Sequence, residues 1–180
     1  ALAGLDHDPF ARSVPPTLAA RARALSGTPP DAGITPLTTA PAADGAAFVL
    51  VGRADMAAKA RFSLRILAGC SLGAVPWQPG LAPIPAIAAA LGRAGLTPEG
   101  LTHAEVMEAY AAQAMACVTG AGIAPEIVNQ RGGALAHGHA IGASGAVLAV
   151  RLYSDLQAGG GVGLAAIAAA GGIGTALVVA

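Results

Sequence analysis

Charged side chains are scarce in this sequence. Only 11 % of its 180 residues are charged and 54 % are hydrophobic, whereas an ordinary soluble domain has about 25 % charged residues. A lone domain of this size needs polar side chains to cover its surface. We therefore expect part of the surface to be buried against another chain. The simpler alternative is that the many alanines raise the hydrophobic total.

Aromatic residues and clusters of one charge are also missing. The sequence has 3 % aromatic residues, and its ten basic and ten acidic residues give a net charge of zero. Nucleic-acid surfaces need grouped Lys and Arg together with stacking rings. The composition therefore argues against a nucleic-acid partner.

Cysteine is rare, and no basic leader is recognisable. The two cysteines, Cys70 and Cys117, form neither a C-x-x-C motif nor a dense framework, which fits a reducing compartment. The first residues, ALAGLDHDPFAR, carry acids where a signal peptide has basic residues. We therefore expect a cytoplasmic protein.

One long uncharged stretch, residues 162–180, has the length of a membrane span. It consists mostly of Ala and Gly, and Gly171, Gly172 and Gly174 interrupt it. Two short buried strands joined by a glycine turn explain this pattern better than a membrane helix does. We expect no membrane association.

Strand and helix patterns alternate along the chain, which predicts an α/β layered fold. Residues 1–33 are predicted to be a helical and loop lead-in, and residues 34–180 a single domain. Further predictions are helices at 15–26, 83–92, 105–118 and 143–156, a helical turn at 55–59, strands at 46–51, 61–68 and 127–129, loops at 28–45 and 69–80, and a glycine-rich segment at 132–145.

Candidate chemistry lies in residues 129–145, NQRGGALAHGHAIGASG. A glycine pair lets backbones pass closely, and a Gly/Ala/Ser run opens an apolar helix with outward N–H groups. A histidine near that positive helix end should be neutral. Neutral imidazole can accept a proton from a thiol or donate a hydrogen bond to a developing oxyanion.

This segment resembles the thiolase motif N-x-N-G-G-A-I-A-x-G-H-P-x-G-A-S-G. Order and spacing agree with the family from about residue 34 to the end. The other matching segments are 44–47 (DGAA), 82–86 (APIPA), 108–113 (EAYAAQ) and 171–174 (GGIG).

The resemblance implies a fold and an assembly. Thiolases condense or cleave acyl-CoA thioesters with two similar α/β lobes, each built on a mixed five-stranded sheet with helices on both faces. The cysteine nucleophile belongs to the first lobe, and this chain resembles the second. The resemblance thus implies a partner subunit bearing the N-terminal lobe, an α2β2 assembly, acyl-CoA as substrate and no bound cofactor. The helix at 143–156 would lie between the two sheets.

By position, His139 matches the histidine of the family's G-H-P motif, which helps to activate the thiol and forms part of an oxyanion hole. Several departures are serious. The family's acid/base cysteine corresponds to Ala168, its water-holding Asn to Met107, the Pro after the histidine to Ala140, and a Ser near CoA to Ala40. Alanine cannot shuttle a proton, and methionine cannot order that water.

Other residues are secondary candidates. Glu108 could act as an acid/base if buried, or be an ordinary surface carboxylate of a helix. Cys70 is a reserve nucleophile, because loops reach active sites, whereas Cys117 fits an inert core thiol. Trp77 could shape an acyl or pantetheine tunnel or anchor packing. Gly138, Gly172 and Ala40 are further expected substrate contacts.

Two smaller interpretations concern the same glycine-rich segment. The pair His137 and His139 lacks the third ligand that a metal site needs, so no metal is expected. Ser144 has the wrong glycine spacing for a nucleophile elbow and is expected to cap or pack the helix start.

Three functions remain open at this point. The chain could be half of a thiolase-type acyltransferase, whose partner supplies the cysteine. It could instead belong to an aldolase-like relative that cleaves β-hydroxyacyl-CoA without an acyl-enzyme, which suits the changes at Met107 and Ala168. It could also be a non-catalytic subunit that binds acyl-CoA or stabilises a partner.

Overall fold

The structure is a computed structural model that describes residues 11, 13–26, 33–57 and 59–180. Parts of the predicted lead-in (1–33) and loop (28–45) lie outside these residues. The first two helices are single turns, α1 (Pro16–Ala19) and α2 (Ala54–Ala57). The helix predicted for 15–26 is wrong beyond that first turn. Because α1 buries no residue, nothing offsets the cost of extending so short a helix in water.

A mixed sheet forms the centre of the fold. Its strands are β1 (Ile66–Gly73), β2 (His103–Val106), β3 (Gly163–Ala169) and β4 (Ile173–Val179), in the order β1-β4-β3-β2. β4 runs antiparallel to both of its neighbours, while β2 and β3 are parallel. The mixed sheet was predicted.

The described residues form four sheet strands rather than the expected five. Residues 46–51, predicted to be a strand, have no strand partner. The strand predicted at 127–129 is reduced to one parallel bridge between Val128 and Ala104. Ile127, its first residue, belongs instead to the 3₁₀ turn Pro125–Ile127. The proline that starts this turn has no N–H to donate to a strand ladder.

Helices cover both faces of the sheet, as predicted. Helix α3 (Pro83–Ala94) packs on β1 and β4, and α4 (Ala111–Gly120) packs beside it. Helix α6 (Ser144–Gly159) lies on β2 and β3 from the opposite face, preceded by the short α5 (Ala134–His137). Two apolar cores result, one on each side of the sheet.

Several predicted boundaries are wrong. The helix predicted for 105–118 begins only at Ala111, since residues 103–106 form β2 against β3. The strand predicted for 61–68 begins at Ile66 and continues through Gly73, inside the predicted 69–80 loop. Its small residues suit close pairing with β4, where Gly69 lies opposite Leu177.

The uncharged C-terminal stretch forms the predicted hairpin. β3 and β4 pair along their whole length, and Gly171 and Gly172 turn the chain with φ of 84° and 83°. These left-handed values favour glycine. In the described residues, every helix is too short or too polar to cross a bilayer.

Candidate active site at the start of helix α6

His139 lies in the turn that connects α5 to α6. Its backbone N–H donates to the carbonyl of Pro41 at 2.8 Å, and it forms a parallel bridge with Ala42. Gly138 precedes it with φ of 89°. A Cβ on Gly138 would lie 2.5 Å from the Cβ of Ala43, so this position must be glycine for residues 41–43 to reach His139.

The His139 ring is held by Ser144. Its Nδ1 lies 2.7 Å from the Ser144 hydroxyl, which is 3.0 Å from the carbonyl of Ala140. The hydroxyl can accept from Nδ1–H while donating to Ala140, or donate to a bare Nδ1. Ser144 therefore supports either neutral tautomer of His139, one with a basic Nε2 and one with an Nε2–H donor.

Ser144 was predicted to cap or to pack the start of α6, and the structure shows packing rather than a cap. Ala143 is the N-cap residue, and no side chain caps this helix end. Ser144 is nearly fully buried, and its hydroxyl is used by the histidine and the Ala140 carbonyl instead.

Burial lowers the pKa of His139 below its ordinary value, because desolvation disfavours imidazolium. Its Nε2 has no hydrogen-bond partner among the described residues. The predicted neutral form is thus favoured at pH 7 by burial. Such a ring can accept a proton from a thiol or donate to an oxyanion.

Asn129 and Glu108 brace the loop that leads to His139. The Asn129 amide bonds both the N–H and the carbonyl of Val106 at 2.9 Å, and donates to Glu108 Oε1 at 2.7 Å. Glu108 Oε2 accepts from the N–H of Leu135 at 3.1 Å, in the first turn of α5. A Cβ on Gly133 would overlap this carboxylate. Glu108 thus follows β2 rather than sitting on a helix, and both its oxygens have structural partners.

A buried ion pair ties the same loop to α6. Arg151 Nε donates to Glu105 Oε2 at 2.7 Å, and Arg151 Nη2 donates to Glu105 Oε1 at 3.3 Å and to the carbonyl of Gly132. Glu105 is 1 % exposed. Burial raises the pKa of Glu105, although Arg151 opposes the shift. Sequence reasoning missed this pair and the role of Asn129, because their partners are distant in sequence.

Two of the departing positions lie at the carboxyl ends of neighbouring strands. Met107 follows β2, is buried, and donates its N–H to the carbonyl of Ala166 in β3 at 2.9 Å. Ala168 lies two residues further along β3. The carboxyl ends of adjacent parallel strands thus present a thioether and a methyl group, neither of which transfers a proton.

Trp77 and Gly172 lie together near these strand ends. The carbonyl of Gly172 accepts from the N–H of Ala74 at 2.6 Å, and a Cβ on Gly172 would press on Pro76. Trp77 is 82 % exposed, so the packing-anchor interpretation is wrong within this chain. Gly172 has a structural role against this loop, and the tunnel role of Trp77 stays a prediction.

An open groove of about 540 Å³ runs from the start of α6 across the sheet. Because α6 packs mainly on β2 and β3, this face of β1 and of the first residues of β4 is uncovered, whereas Val179 at the end of β4 is buried. Ser71, Thr175 and Leu177 of the sheet and Gly145 and Leu148 of α6 line this groove.

The cysteines lie on the other side or in the core. Cys70 is buried within β1 rather than in a loop, packed in the core under α3, so the reason for naming it a reserve nucleophile is removed. Cys117 is fully buried and donates to the carbonyl of Gly80 at 3.0 Å. Burial raises the pKa of its thiol, as expected of an inert core cysteine. No three potential metal ligands converge in the described part of the chain.

Comparisons with known proteins identify the family to which this α/β domain belongs. The family model for "Thiolase, C-terminal domain" matches residues 61–180. The chain therefore belongs to the thiolase family, as predicted.

Individual relatives agree with this assignment. The chain is 36 % identical to the beta-ketoadipyl-CoA thiolase of Acinetobacter baylyi over 91 % of its length, and 38 % identical to the cytosolic acetyl-CoA acetyltransferase of Mus musculus over 81 %. It spans 42 % and 38 % of those relatives. The chain thus covers about two fifths of the curated relatives it matches.

Solved structures give the same picture. The acetyl-CoA acetyltransferase of Bacillus anthracis matches 96 % of this chain with a TM-score of 0.89 and 28 % identity, and the chain covers 44 % of it. Human mitochondrial 3-ketoacyl-CoA thiolase in complex with CoA matches 96 % of the chain with a TM-score of 0.81 and 27 % identity, again over 44 % of that protein.

Replacing Ser144 with alanine tests the histidine clamp. Losing one hydrogen bond of about 1 kcal/mol is expected to lower kcat/KM about 5- to 10-fold for any turnover that depends on His139. The acid limb of the pH profile should move to lower pH, because imidazolium loses an acceptor at Nδ1. Ser154→Ala is the matched control, since Ser154 makes a similar bond to the carbonyl of Val150 at 3.0 Å away from the histidine. An unmoved pH profile in Ser144→Ala would reduce Ser144 to a packing residue.

Proposed function

We propose that this chain is the C-terminal lobe of a thiolase-type acyltransferase that acts on an acyl-CoA thioester. The observation that carries the proposal is His139, held by Ser144 at the start of α6 in a chain of the thiolase family. Two relatives are named as thiolase and acetyltransferase, and a solved neighbour holds CoA. Condensation and thiolytic cleavage of a 3-oxoacyl-CoA are both within this proposal.

In this proposal an N-terminal-type lobe supplies the cysteine nucleophile. The thiol proton passes to His139 Nε2, the thiolate attacks the thioester carbonyl, and CoA leaves as its thiol with the returned proton. Once deprotonated, Nε2 can receive the next proton, and as Nε2–H it can support an oxyanion. The proposal holds for a lobe on a partner subunit, as in an α2β2 assembly, and for one on the same polypeptide.

The uncovered sheet face supports the need for a second lobe. β1 and β4 expose Ser71, Thr175 and Leu177 to the groove beside α6, and only 11 % of the sequence is charged. A sheet face next to an apolar helix is usually covered by another layer. We place the protein in the cytoplasm, where its two free, buried cysteines stay reduced.

Acyl-enzyme trapping tests the proposal. The assembled protein is incubated with radiolabelled acetyl-CoA, quenched in acid and digested, and the labelled peptide is sequenced. Label on a cysteine of the N-terminal-type lobe is expected. Label on Cys70 or Cys117 of this chain would contradict the division of roles.

An aldolase-like reaction is the second candidate, and Met107 and Ala168 favour it. Met107 replaces the family's water-holding asparagine and Ala168 replaces its acid/base cysteine, while His139 is retained. An aldolase-like enzyme would cleave β-hydroxyacyl-CoA and leave no label in the trapping experiment. A complex that binds acyl-CoA but has neither activity would instead support a non-catalytic subunit.

Ala168→Cys separates these functions. A thiol at this strand end would restore an acid/base for forming the carbon–carbon bond, and we expect condensation or thiolysis to rise at least about 10-fold. Ala169→Cys, one residue further and on the opposite face of β3, is the control and should leave the rate unchanged. Equal rates for Ala168→Cys and the parent would favour the aldolase-like reaction.

A further inference from the structure

Four large apolar side chains are exposed at the end of the sheet that lies next to His139. Trp77 is 82 % exposed, Ile141 79 %, Ile173 48 % and Val75 42 %. We call these four residues the apolar rim. Exposed apolar side chains that lie together mark a binding surface, whereas single ones scattered over a protein do not.

Contacts with the β3–β4 turn hold Trp77 beside Ile173. The N–H of Ala74 donates to the carbonyl of Gly172 at 2.6 Å, and a Cβ on Gly172 would lie 2.9 Å from the Cα of Pro76. Successive Cα atoms are about 3.8 Å apart, so the Cα of Trp77 lies within about 8 Å of the Cα of Gly172. Ile173 follows Gly172 as the first residue of β4, and Trp77 and Ile173 are therefore close neighbours.

The start of α6 brings His139 to the same end of the sheet. Gly145 of α6 and Thr175 of β4 line one groove. Ile173 is two residues before Thr175, so both side chains lie on the face of the sheet on which α6 packs. His139 and Ile141 belong to the turn that enters α6. The apolar rim and His139 thus share one end and one face of the sheet.

This end of the sheet is where the fold favours a ligand. β2 and β3 are parallel neighbours, and open α/β sheets bind ligands beyond the carboxyl ends of such strands. Met107 and Ala168 stand at these two ends and offer a thioether and a methyl group. β4 begins two strand spacings from the end of β2, about 10 Å away. An acyl chain that starts at His139 and runs along the strand ends meets the apolar rim.

The basic side chains after residue 52 are used away from the apolar rim. Three arginines have carboxylate partners of their own, namely Asp55 for Arg53, Asp155 for Arg131 and Glu105 for Arg151. Arg93 donates to the carbonyl of Gly69, in the first half of β1. The remaining three, Lys59, Arg61 and Arg65, precede β1, which begins at the opposite end of the sheet because it runs antiparallel to β4.

An acidic residue lies close to the histidine turn instead. Asp44 is exposed, and a Cβ on its neighbour Gly45 would lie 3.0 Å from the Cβ of Ala140, which follows His139. A carboxylate at the far end of an acyl chain would therefore meet a like charge rather than one of the cations described above. Such a charge loses water without gaining a partner.

We propose that the assembled enzyme binds an acyl-CoA whose acyl group is an uncharged hydrocarbon chain of medium length, and that Trp77 is the residue that selects this chain. This inference rests on the proposed function, because it concerns the acyl-CoA of that reaction. The chain packs on Trp77 and Ile173 and removes their exposed apolar surface from water.

Equilibrium binding tests this substrate class with two CoA thioesters of equal chain length. Octanoyl-CoA ends in a methyl group and suberyl-CoA in a carboxylate, and we expect the assembled protein to bind octanoyl-CoA at least about 10-fold more tightly. Trp77 is the only tryptophan of this chain, so the emission lost in Trp77→Phe reports on the apolar rim. That emission should shift to shorter wavelength with octanoyl-CoA. Equal affinities, or a Trp77 emission that octanoyl-CoA leaves unchanged, would overturn the proposal.

Steady-state selectivity gives a second measurement. In Trp77→Ala, the ratio of kcat/KM for 3-oxooctanoyl-CoA to kcat/KM for acetoacetyl-CoA should fall at least about 10-fold, because only the longer chain reaches the apolar rim. Met115→Ala is the matched control: Met115 is 69 % exposed on α4, outside the rim, and its substitution should change this ratio less than about 2-fold. A ratio that Trp77→Ala leaves unchanged would reject the specificity role of Trp77.

The possible outcomes separate this inference from the proposed function. An acyl-enzyme that forms equally well from octanoyl-CoA and suberyl-CoA would reject the inference and support the function. Selective binding of octanoyl-CoA through Trp77, without any acyl-enzyme, would support the inference and reject the acyltransferase.

Discussion

The assembled enzyme with His139→Ala is expected to lose about 10²- to 10⁴-fold in kcat, the range associated with a positioned acid/base. The ring is held by Ser144 and its Nε2 is free of partners in the described residues, so nothing nearby replaces it. His139→Asn should keep more activity than His139→Ala, because its amide can still donate to an oxyanion. It should stay below the parent enzyme, because the amide cannot take a proton from a thiol. Measuring burst formation of the acyl-enzyme together with steady-state turnover of acyl-CoA separates the proton-transfer role of His139 from its oxyanion role.

The pH dependence of the same enzyme follows from the lowered pKa of His139. The active neutral form predominates above that pKa, so kcat/KM should rise from acid pH with a midpoint below pH 6.5, the ordinary histidine value. Folding shows the same sign: because the folded ring binds its proton less readily, stability is retained above pH 6.5 and falls as pH drops toward the folded pKa. The acid limb should vanish in His139→Ala.

His103→Ala is the matched control, because His103 lies at the other end of β2 and bonds Thr102. Its effect on kcat should stay within about 2-fold. Turnover unchanged in His139→Ala would reject both enzymatic functions and favour a non-catalytic subunit.

The site residue and the hairpin could be predicted because their signals are local. His139 stands in a contiguous segment of seventeen residues that matches the family motif at most positions, and the hairpin is specified by two apolar runs on either side of Gly171 and Gly172. In both cases the turn chemistry and the neighbouring pattern lie within one short window.

β2 could not be predicted for the opposite reason. Its four residues are specified by parallel pairing with β3, about sixty residues later, while Glu105 and Glu108 in the same window favoured a helix start. Glu105 is buried there only because Arg151 of α6 reaches it. Tertiary partners distant in sequence decide such a segment, and propensity does not.

The segment 46–51 shows a different limit. Its composition predicts a strand, and the described chain leaves it extended but unpaired. An apolar run thus indicates extended backbone, but it does not specify whether another strand pairs with it.

Removing Arg151 should destabilise the domain more than any other change proposed for its fold. Arg151→Met leaves Glu105, whose side chain is 2 % exposed, as an uncompensated buried carboxylate, and we expect a loss of about 3–5 kcal/mol in the free energy of unfolding. The bond from Arg151 to the Gly132 carbonyl is also lost, which loosens the loop before His139. Urea unfolding of the purified protein at pH 7 measures the first effect, and kcat measures the second.

The pH dependence of this variant has a definite sign. Glu105 already has a raised pKa from burial, and without Arg151 its pKa rises further. The folded state then holds its proton more tightly than the unfolded state, so the destabilisation is small below the ordinary glutamate value near 4.3 and grows as pH rises through the folded pKa. The loss at pH 5 should accordingly be smaller than at pH 8.

Two further variants decide whether the charge or the packing matters. Glu105→Leu combined with Arg151→Met removes both charges, and replacing a buried pair by apolar groups is often neutral or stabilising, so the double variant should recover most of the stability. Arg131→Met is the matched control, since its pair with Asp155 is about half exposed on the arginine side and should cost no more than about 1 kcal/mol. A double variant as unstable as Arg151→Met would show that the arginine stabilises this loop through Gly132 rather than by neutralising Glu105.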